Sequence, residues 1–166
     1  ACPFCQKEYP IVRRLAYTYG DRVRIVWRDY PLHENSVELA LTARCAGEQK
    51  KFWEMHDQLF RKQEYLNSAK ISSEQIVEMA QAVGLDVTRF EKCYNSKKFM
   101  AYIQQDYTDI QNLDQIAGQA DKNAVVGTPT WYINGYRVSG SIPEPDFINI
   151  IENLLNPDAQ TNNQQQ

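Results

Sequence analysis

The stretch Cys2-Pro3-Phe4-Cys5-Gln6-Lys7-Glu8-Tyr9-Pro10-Ile11-Val12 places two cysteines one helical turn apart at the head of an amphipathic run. Pro3, Phe4, Tyr9, Ile11, Val12, Leu15, Ala16 and Tyr19 fall on helical spacings and predict a helix over 2–19. Pro10 is a blemish in it, since an interior proline removes a backbone bond and kinks the helix. Gly20 supplies a stop in the left-handed conformation. Residues 22–29 then alternate and are rich in β-branched side chains, which predicts a strand ending at Tyr30-Pro31.

From Asn35 to about Ala117 no strand pattern appears. Ser36 is a plausible N-cap for a helix running to Ala46, with Gly47 as its stop. Residues 48–62 carry Phe52, Trp53, Met55, Leu59 and Phe60 on one apolar stripe. Ser72 with Gln75 three residues on is a capping box, and Gly84 closes that helix. Asp86 caps a short helix through Tyr94, and Ser96 opens a long one to about Ala117. After that, 130–134 reads as a strand, Asn134-Gly135 as a two-residue hairpin turn and 136–139 as the partner strand. Residues 144–155 form a last amphipathic helix with Phe147, Ile148, Ile151, Leu154 and Leu155 apolar. The tail 157–166 is polar and Gln/Asn-rich and predicts disorder. The order describes one α/β unit interrupted by a block of helices.

Of the 166 residues, 43% are hydrophobic and 23% charged. That length supports a core without staples, burying roughly 70% of the unfolded surface. Seven glycines and seven prolines exclude a fibrous or low-complexity chain. No apolar run approaches the ~18 residues of a membrane helix. A net charge of −3 argues against nucleic acid as a partner, which usually calls for a basic face.

The chemistry lies in the four cysteines, Cys2, Cys5, Cys45 and Cys93. Only a thiolate attacks a disulfide, and a helix N-terminus stabilises one through its free N–H groups and its dipole. Cys2 sits where that effect is largest, and Cys5 is within reach for an intramolecular disulfide. Pro3 fits the first turn, where no N–H is missed. The pair reads as a two-electron switch in which Cys2 enters mixed disulfides and Cys5 resolves them. Half of a zinc site has the same spacing, but no second half exists in the chain, and no metal is expected. A purely structural disulfide is the other alternative. His33 reads as a solvated loop histidine, with modulation of the cysteines as the alternative, and His56 as a core or boundary residue. Phe52, Trp53, Phe60, Phe99 and Tyr102 read as core of the helical block.

The Cys2-Pro3-Phe4-Cys5 helix start resembles the DsbA-like branch of the thioredoxin superfamily. So do Arg28-Asp29-Tyr30-Pro31-Leu32, the run from Ala46 to Asp57, and Val126-Gly127-Thr128-Pro129-Thr130-Trp131-Tyr132-Ile133-Asn134-Gly135. The likeness covers about residues 1–156. It implies an α/β thioredoxin fold with an inserted all-helical domain. Its thioredoxin-like part would be 1–34 and 118–156, its insertion 35–117 and its disordered tail 157–166. It also implies protein disulfide oxidoreductase activity in the bacterial cell envelope, with no cofactor beyond the redox-active disulfide. The implied partners are extended segments of exported substrate proteins, with a membrane quinone-linked partner if the protein is an oxidase. Nothing in the sequence fixes an oligomeric state.

Carried over by residue, Cys2 matches the exposed nucleophile and Cys5 the buried resolving cysteine. Pro129 matches the family's cis-proline, with Gly127 and Thr128 in the loop that holds substrate. Base rates alone favour an ordinary trans proline there. Pro3 and Phe4 are the tuning positions between the cysteines. Phe4 cannot donate a hydrogen bond or carry charge, so Cys2 is expected to be less acidic, and the disulfide less oxidising, than in His-bearing relatives. Cys45 and Cys93 match paired cysteines in some relatives and are expected to form a structural disulfide; two buried free thiols are the alternative. The family's fold begins with a central parallel strand that feeds the cysteine helix. That first β-strand is missing here, so a longer parent chain is expected, with a signal peptide or anchor upstream. The remaining readings are a glutaredoxin-type reductant, whose Cys-Pro-Tyr-Cys motif is one hydroxyl away, and a non-catalytic peptide-binding module.

Overall fold

The structure, a computed structural model, describes residues 1–67, 70–116 and 127–157, without the side chains of 114–116. The segment 117–126 and the tail from 158 onward lie outside the described residues, and with them Val126 and nearly all of the stretch read as a disordered tail.

Helix α1 spans Pro3–Tyr19 and runs through Pro10. Its buried positions, Glu8, Val12, Leu15 and Tyr19, follow a helical stripe. Gly20 ends it at φ 53° and ψ −130°, a region outside the left-handed helical basin that was expected and accessible essentially only to glycine. A single 3-10 turn, Gly20–Arg22, follows.

The predicted strand over 22–29 does not form. The segment leaves the turn extended, with Val23 at φ −129° and ψ 124°, but it joins no ladder. Alternation favours an extended chain, whereas a strand exists only when another pairs with it. Among the described residues the sheet has two strands, and neither lies beside this segment. Its anchor is polar. The Asp29 N–H donates to Asp106 at 3.0 Å, and the Asp29 carboxylate accepts from Arg44 at 2.6 Å and from the Trp27 indole at 2.8 Å.

Helices α2 (Ser36–Gly47), α3 (Phe52–Arg61), α4 (Gln63–Asn67), α5 (Ser73–Ala82), α6 (Val87–Asn95) and α7 (Met100–Ile116) follow. Several boundaries move from their sequence positions. Asn35, not Ser36, is the N-cap of α2, at φ 63°. Its side chain spans two elements instead, donating to the Leu66 carbonyl and accepting from the Ile71 N–H. The stripe expected from residue 48 begins at Phe52, because Lys50 at φ 60° turns the chain between α2 and α3. Ser96 closes α6 rather than opening α7, and Lys97 at φ 53° breaks the chain there. The Ser72–Gln75 capping box is fully formed, and Asp86 caps α6 through the Arg89 N–H.

Strands β1 (Thr130–Ile133) and β2 (Tyr136–Ser139) pair antiparallel, from Thr130 opposite Ser139 to Ile133 opposite Tyr136. Asn134 and Gly135 both have positive φ, 48° and 89°, as the tight turn of a right-twisted hairpin requires. Helix α8 (Glu144–Leu155) carries Glu144 and Asp146 in its first turn, where the dipole favours acids.

Two apolar clusters result. The larger is built from α2 to α7 around Met55, Leu66, Ile76, Met79, Phe90 and Ile103. The smaller packs Leu15 and Tyr19 against Ile142, Phe147 and Ile151, with Trp131 and Val138 from the hairpin at its edge. Of the aromatics read as core, Phe52 and Phe99 pack against the larger cluster, but Tyr102 is half exposed under the Arg44 guanidinium, 4.6 Å from its ring. Arg14 and Glu144 form a bidentate pair at 3.0 and 2.7 Å that ties α1 to α8.

Candidate active site

Cys2 is the N-cap of α1, and Pro3 follows in the first turn, where its missing N–H costs nothing. The Gln6 N–H donates to the Cys2 carbonyl at 3.1 Å and closes the first turn, while the Gln6 side chain donates to the Phe60 carbonyl at 3.0 Å and fixes the helix start against α3. From the other side comes the loop 127–129. Its Thr128–Pro129 peptide bond is cis. The loop is braced at both ends, by the Thr130 hydroxyl donating to the Gly127 carbonyl at 2.6 Å and by the Gly140 N–H donating to the Pro129 carbonyl at 2.9 Å. The two halves meet where the Cys2 thiol donates to the Thr128 carbonyl at 3.2 Å, across 126 residues of chain.

This juxtaposition reverses one expectation. Cys2 is 8% exposed, not an exposed residue, because the 127–129 loop lies over it; Cys5 is only partly covered. The electrostatics still separate the two thiols. Burial pushes Cys2 up, but donors to its sulfur outweigh it: the Thr128 hydroxyl, the Cys5 N–H and thiol, and the Phe4 N–H. The contact with the Thr128 carbonyl favours the protonated form, yet the donors prevail and hold the Cys2 thiol below its ordinary value. For Cys5, burial and the neighbouring Cys2 push the thiol up to about 12. Cys2 is thus the more acidic thiol of the pair.

Phe4 stands out into solvent, 57% exposed, beside the pair. A shallow cleft lined by Pro3, Gln6, Gln63, Glu64 and Asn67 opens next to it. Cys45 and Cys93 lie far along the chain from this site and are joined by a disulfide that pins α2 to α6, with Cα atoms 5.8 Å apart. His33 is exposed in the loop before α2. His56 is buried among Tyr9, Trp27, Phe52, Trp53 and Phe60, with Nδ1 3.0 Å from Asp57; burial depresses its pKa against the opposing pull of Asp57. Among the described residues no three Cys, His, Asp or Glu side chains converge as a metal-binding group, and no helix is long and apolar enough to cross a membrane.

One residue of the site was not read from the sequence. Glu8, one turn beyond Cys5, is 1% exposed, and its carboxylate accepts from the Trp131 indole at 2.9 Å and from the Ile142 N–H. The available signal was its register: an acid at position 8 shares the stripe of Val12, Leu15 and Tyr19.

A thioredoxin family model matches residues 1–153. The chain belongs to this thioredoxin family. Among solved structures, it resembles a thioredoxin-like oxidoreductase from Silicibacter pomeroyi with a TM-score of 0.70 at 24% identity, covering 92% of this chain and 80% of that one. It also resembles the thiol-disulfide exchange protein alpha-DsbA2 from Wolbachia pipientis, with a TM-score of 0.71 at 18% identity over 92% of this chain and 76% of that one. At such identities these two likenesses speak for the thioredoxin fold. Among curated proteins, it is 35% identical over 142 residues to the Na(+)/H(+) antiporter NhaA 3 of Salinispora tropica, a match that covers 84% of this chain and 19% of the antiporter. The chain thus spans about a fifth of the length of that relative.

Proposed function

We propose that this chain is a DsbA-like protein thiol–disulfide oxidoreductase that exchanges disulfides with extended segments of exported proteins through Cys2 and Cys5. The observation that carries the reading is the Cys2 thiol at a helix start, 3.2 Å from the Thr128 carbonyl, held below its ordinary value while the Cys5 thiol is pushed up to about 12. The names of the two structural neighbours, an oxidoreductase and a thiol-disulfide exchange protein, support the same class.

In the reducing direction the Cys2 thiolate attacks one sulfur of a substrate disulfide. A Cys2–substrate disulfide forms, the substrate S–S bond breaks, and the departing sulfur leaves as a thiolate that takes up a proton. Cys5 then loses its proton and attacks the Cys2 sulfur. The Cys2–Cys5 disulfide forms and the second substrate sulfur departs. Two electrons pass from the pair to the substrate, and the oxidising direction runs these steps in reverse. Backbone groups at Thr128 pair with the substrate chain by strand addition, and Pro129 offers no N–H to compete. No cofactor takes part beyond the disulfide itself. We place the activity in the bacterial cell envelope, where a membrane-bound redox partner would renew the disulfide, and give Cys45–Cys93 a structural role. Gly127, Pro3 and Phe4 shape the loop and tune the pair.

The test is to oxidise the pair and mix the protein with a reduced peptide bearing two cysteines. The reading predicts one peptide disulfide per oxidised pair, and none from Cys2→Ser. An unchanged peptide with the intact protein would contradict it. Efficient turnover with glutathione as sole electron donor would favour the glutaredoxin-type reading instead.

A further inference from the structure

We propose that Glu8 is a positioning residue for disulfide exchange: its carboxylate clamps the cysteine helix to the hairpin that follows Thr128 and Pro129, and so holds the 127–129 loop against the Cys2 sulfur. This rests on the exchange reading given above.

The geometry is specific. Glu8 lies on α1 three residues after Cys5, on the same helix face. One carboxylate oxygen takes the indole N–H of Trp131, two residues beyond Pro129 in β1; the other takes the backbone N–H of Ile142, just after β2. The single side chain therefore grips both ends of the hairpin whose first strand begins at the loop over Cys2. A carboxylate accepts at both oxygens and donates at neither, so it suits two facing donors as no amide does. Burying a charge so completely is costly unless hydrogen bonds compensate. Helix cohesion gives no reason for it, since an apolar residue at position 8 would continue the Val12, Leu15 and Tyr19 stripe. What a carboxylate adds is register between α1 and β1, the two elements that meet at Cys2.

The clamp and a bare charge effect have opposite signs. Removing a nearby negative charge stabilises the Cys2 thiolate; loosening the Thr128 loop withdraws a donor and destabilises it. Among the described residues the titratable group beside Cys2 is Cys5, which is replaced alike in every background below, so it does not distinguish the variants.

The test measures the pH dependence of Cys2 alkylation by iodoacetamide in the reduced protein, with Cys5→Ala in every background. Trp131→Phe keeps the Glu8 charge and removes one donor. Glu8→Gln keeps the shape and offers a single acceptor to two donors. Phe147→Leu loses the ring packing against Trp131, 5.1 Å between centroids, without touching Glu8, and serves as the packing control. The midpoint is expected to rise by roughly half a pH unit in Trp131→Phe and in Glu8→Gln, about a three-fold loss of thiolate near neutral pH. Phe147→Leu should lower the melting temperature and leave the midpoint in place. A midpoint that stays put in Trp131→Phe, or falls in Glu8→Gln, overturns the clamp alone. A wild-type midpoint in the ordinary thiol range overturns the exchange reading and the clamp together.

Discussion

Arg44 donates to the buried carboxylate of Asp106 at 2.8 Å, joining α2 to α7 across 62 residues of chain. Its Nε donates at 2.6 Å to Asp29, a second buried carboxylate, and Asp106 also accepts from Arg28 at 2.8 Å. One planar guanidinium thus serves two acids and ties the extended segment after α1 to the helical block. A fork of fixed N–H groups does this where a point-like ammonium cannot. Arg44→Met leaves Asp29 with the Trp27 indole but no cation, and Asp106 with Arg28 and the Asp29 N–H, and is expected to destabilise by about 3 kcal/mol. Arg44→Lys should recover only part of that loss. Urea unfolding of the two variants measures both.

The Cys45–Cys93 disulfide closes a loop of sequence separation 48 inside the larger cluster. On the chain-entropy account such a cross-link stabilises by about 4 kcal/mol, chiefly by restricting the unfolded chain. Cys45→Ala with Cys93→Ala should lower the unfolding free energy by about 2–4 kcal/mol and leave the Cys2–Cys5 chemistry working. After selective reduction of the active pair, denatured protein should titrate two thiols; four would show the bond absent.

Much of this architecture was legible because it is encoded locally. Asn134-Gly135 requires two positive φ values and nearly names its own turn, and Ser72 with Gln75 specifies a cap within four residues. Where partners lie far away in sequence, local pattern misleads. Alternation over 22–29 signalled an extended chain correctly, but the anchors of that chain are Arg44 and Asp106, which no alternation reveals. Ser96 looked like a cap and proved a terminus, because either end of a helix accepts serine. At the site, the cysteines were plain from spacing. The cover over Cys2 and the role of Glu8 were not, since both depend on the hairpin returning to α1 after more than 120 residues.

The two thiols give the reduced protein a stability profile with two opposing windows. Cys2 has a lowered pKa in the folded state, so its contribution is present above the unfolded value of 9.0 and is lost as pH falls through the folded value. Cys5 is raised to about 12, so its contribution is present below 9.0 and is lost as pH rises from there toward 12. The reduced protein should therefore gain stability relative to the oxidised one up to about pH 9 and then lose it. Parallel unfolding of both forms from pH 6 upward, whose difference cancels all other titrations, checks the sign in each window.

Phe4, exposed beside the pair, adds neither charge nor a donor. Phe4→His is expected to lower the Cys2 pKa and make the disulfide more oxidising, by about 30 mV for each 1.4 kcal/mol gained by the thiolate. Equilibration with glutathione buffers reads the potential directly, and an unchanged or more reducing value would refute the tuning role of this position.

The claim on which the account stands is that Cys2 captures the substrate and Cys5 releases it. Cys5→Ser, incubated with a peptide disulfide and mapped by mass spectrometry, tests it most directly. The account predicts a mixed disulfide that accumulates on Cys2, while Cys2→Ser stays unmodified at Cys5. Equal capture by Cys5 in Cys2→Ser, or no adduct on Cys2 in Cys5→Ser, would contradict it.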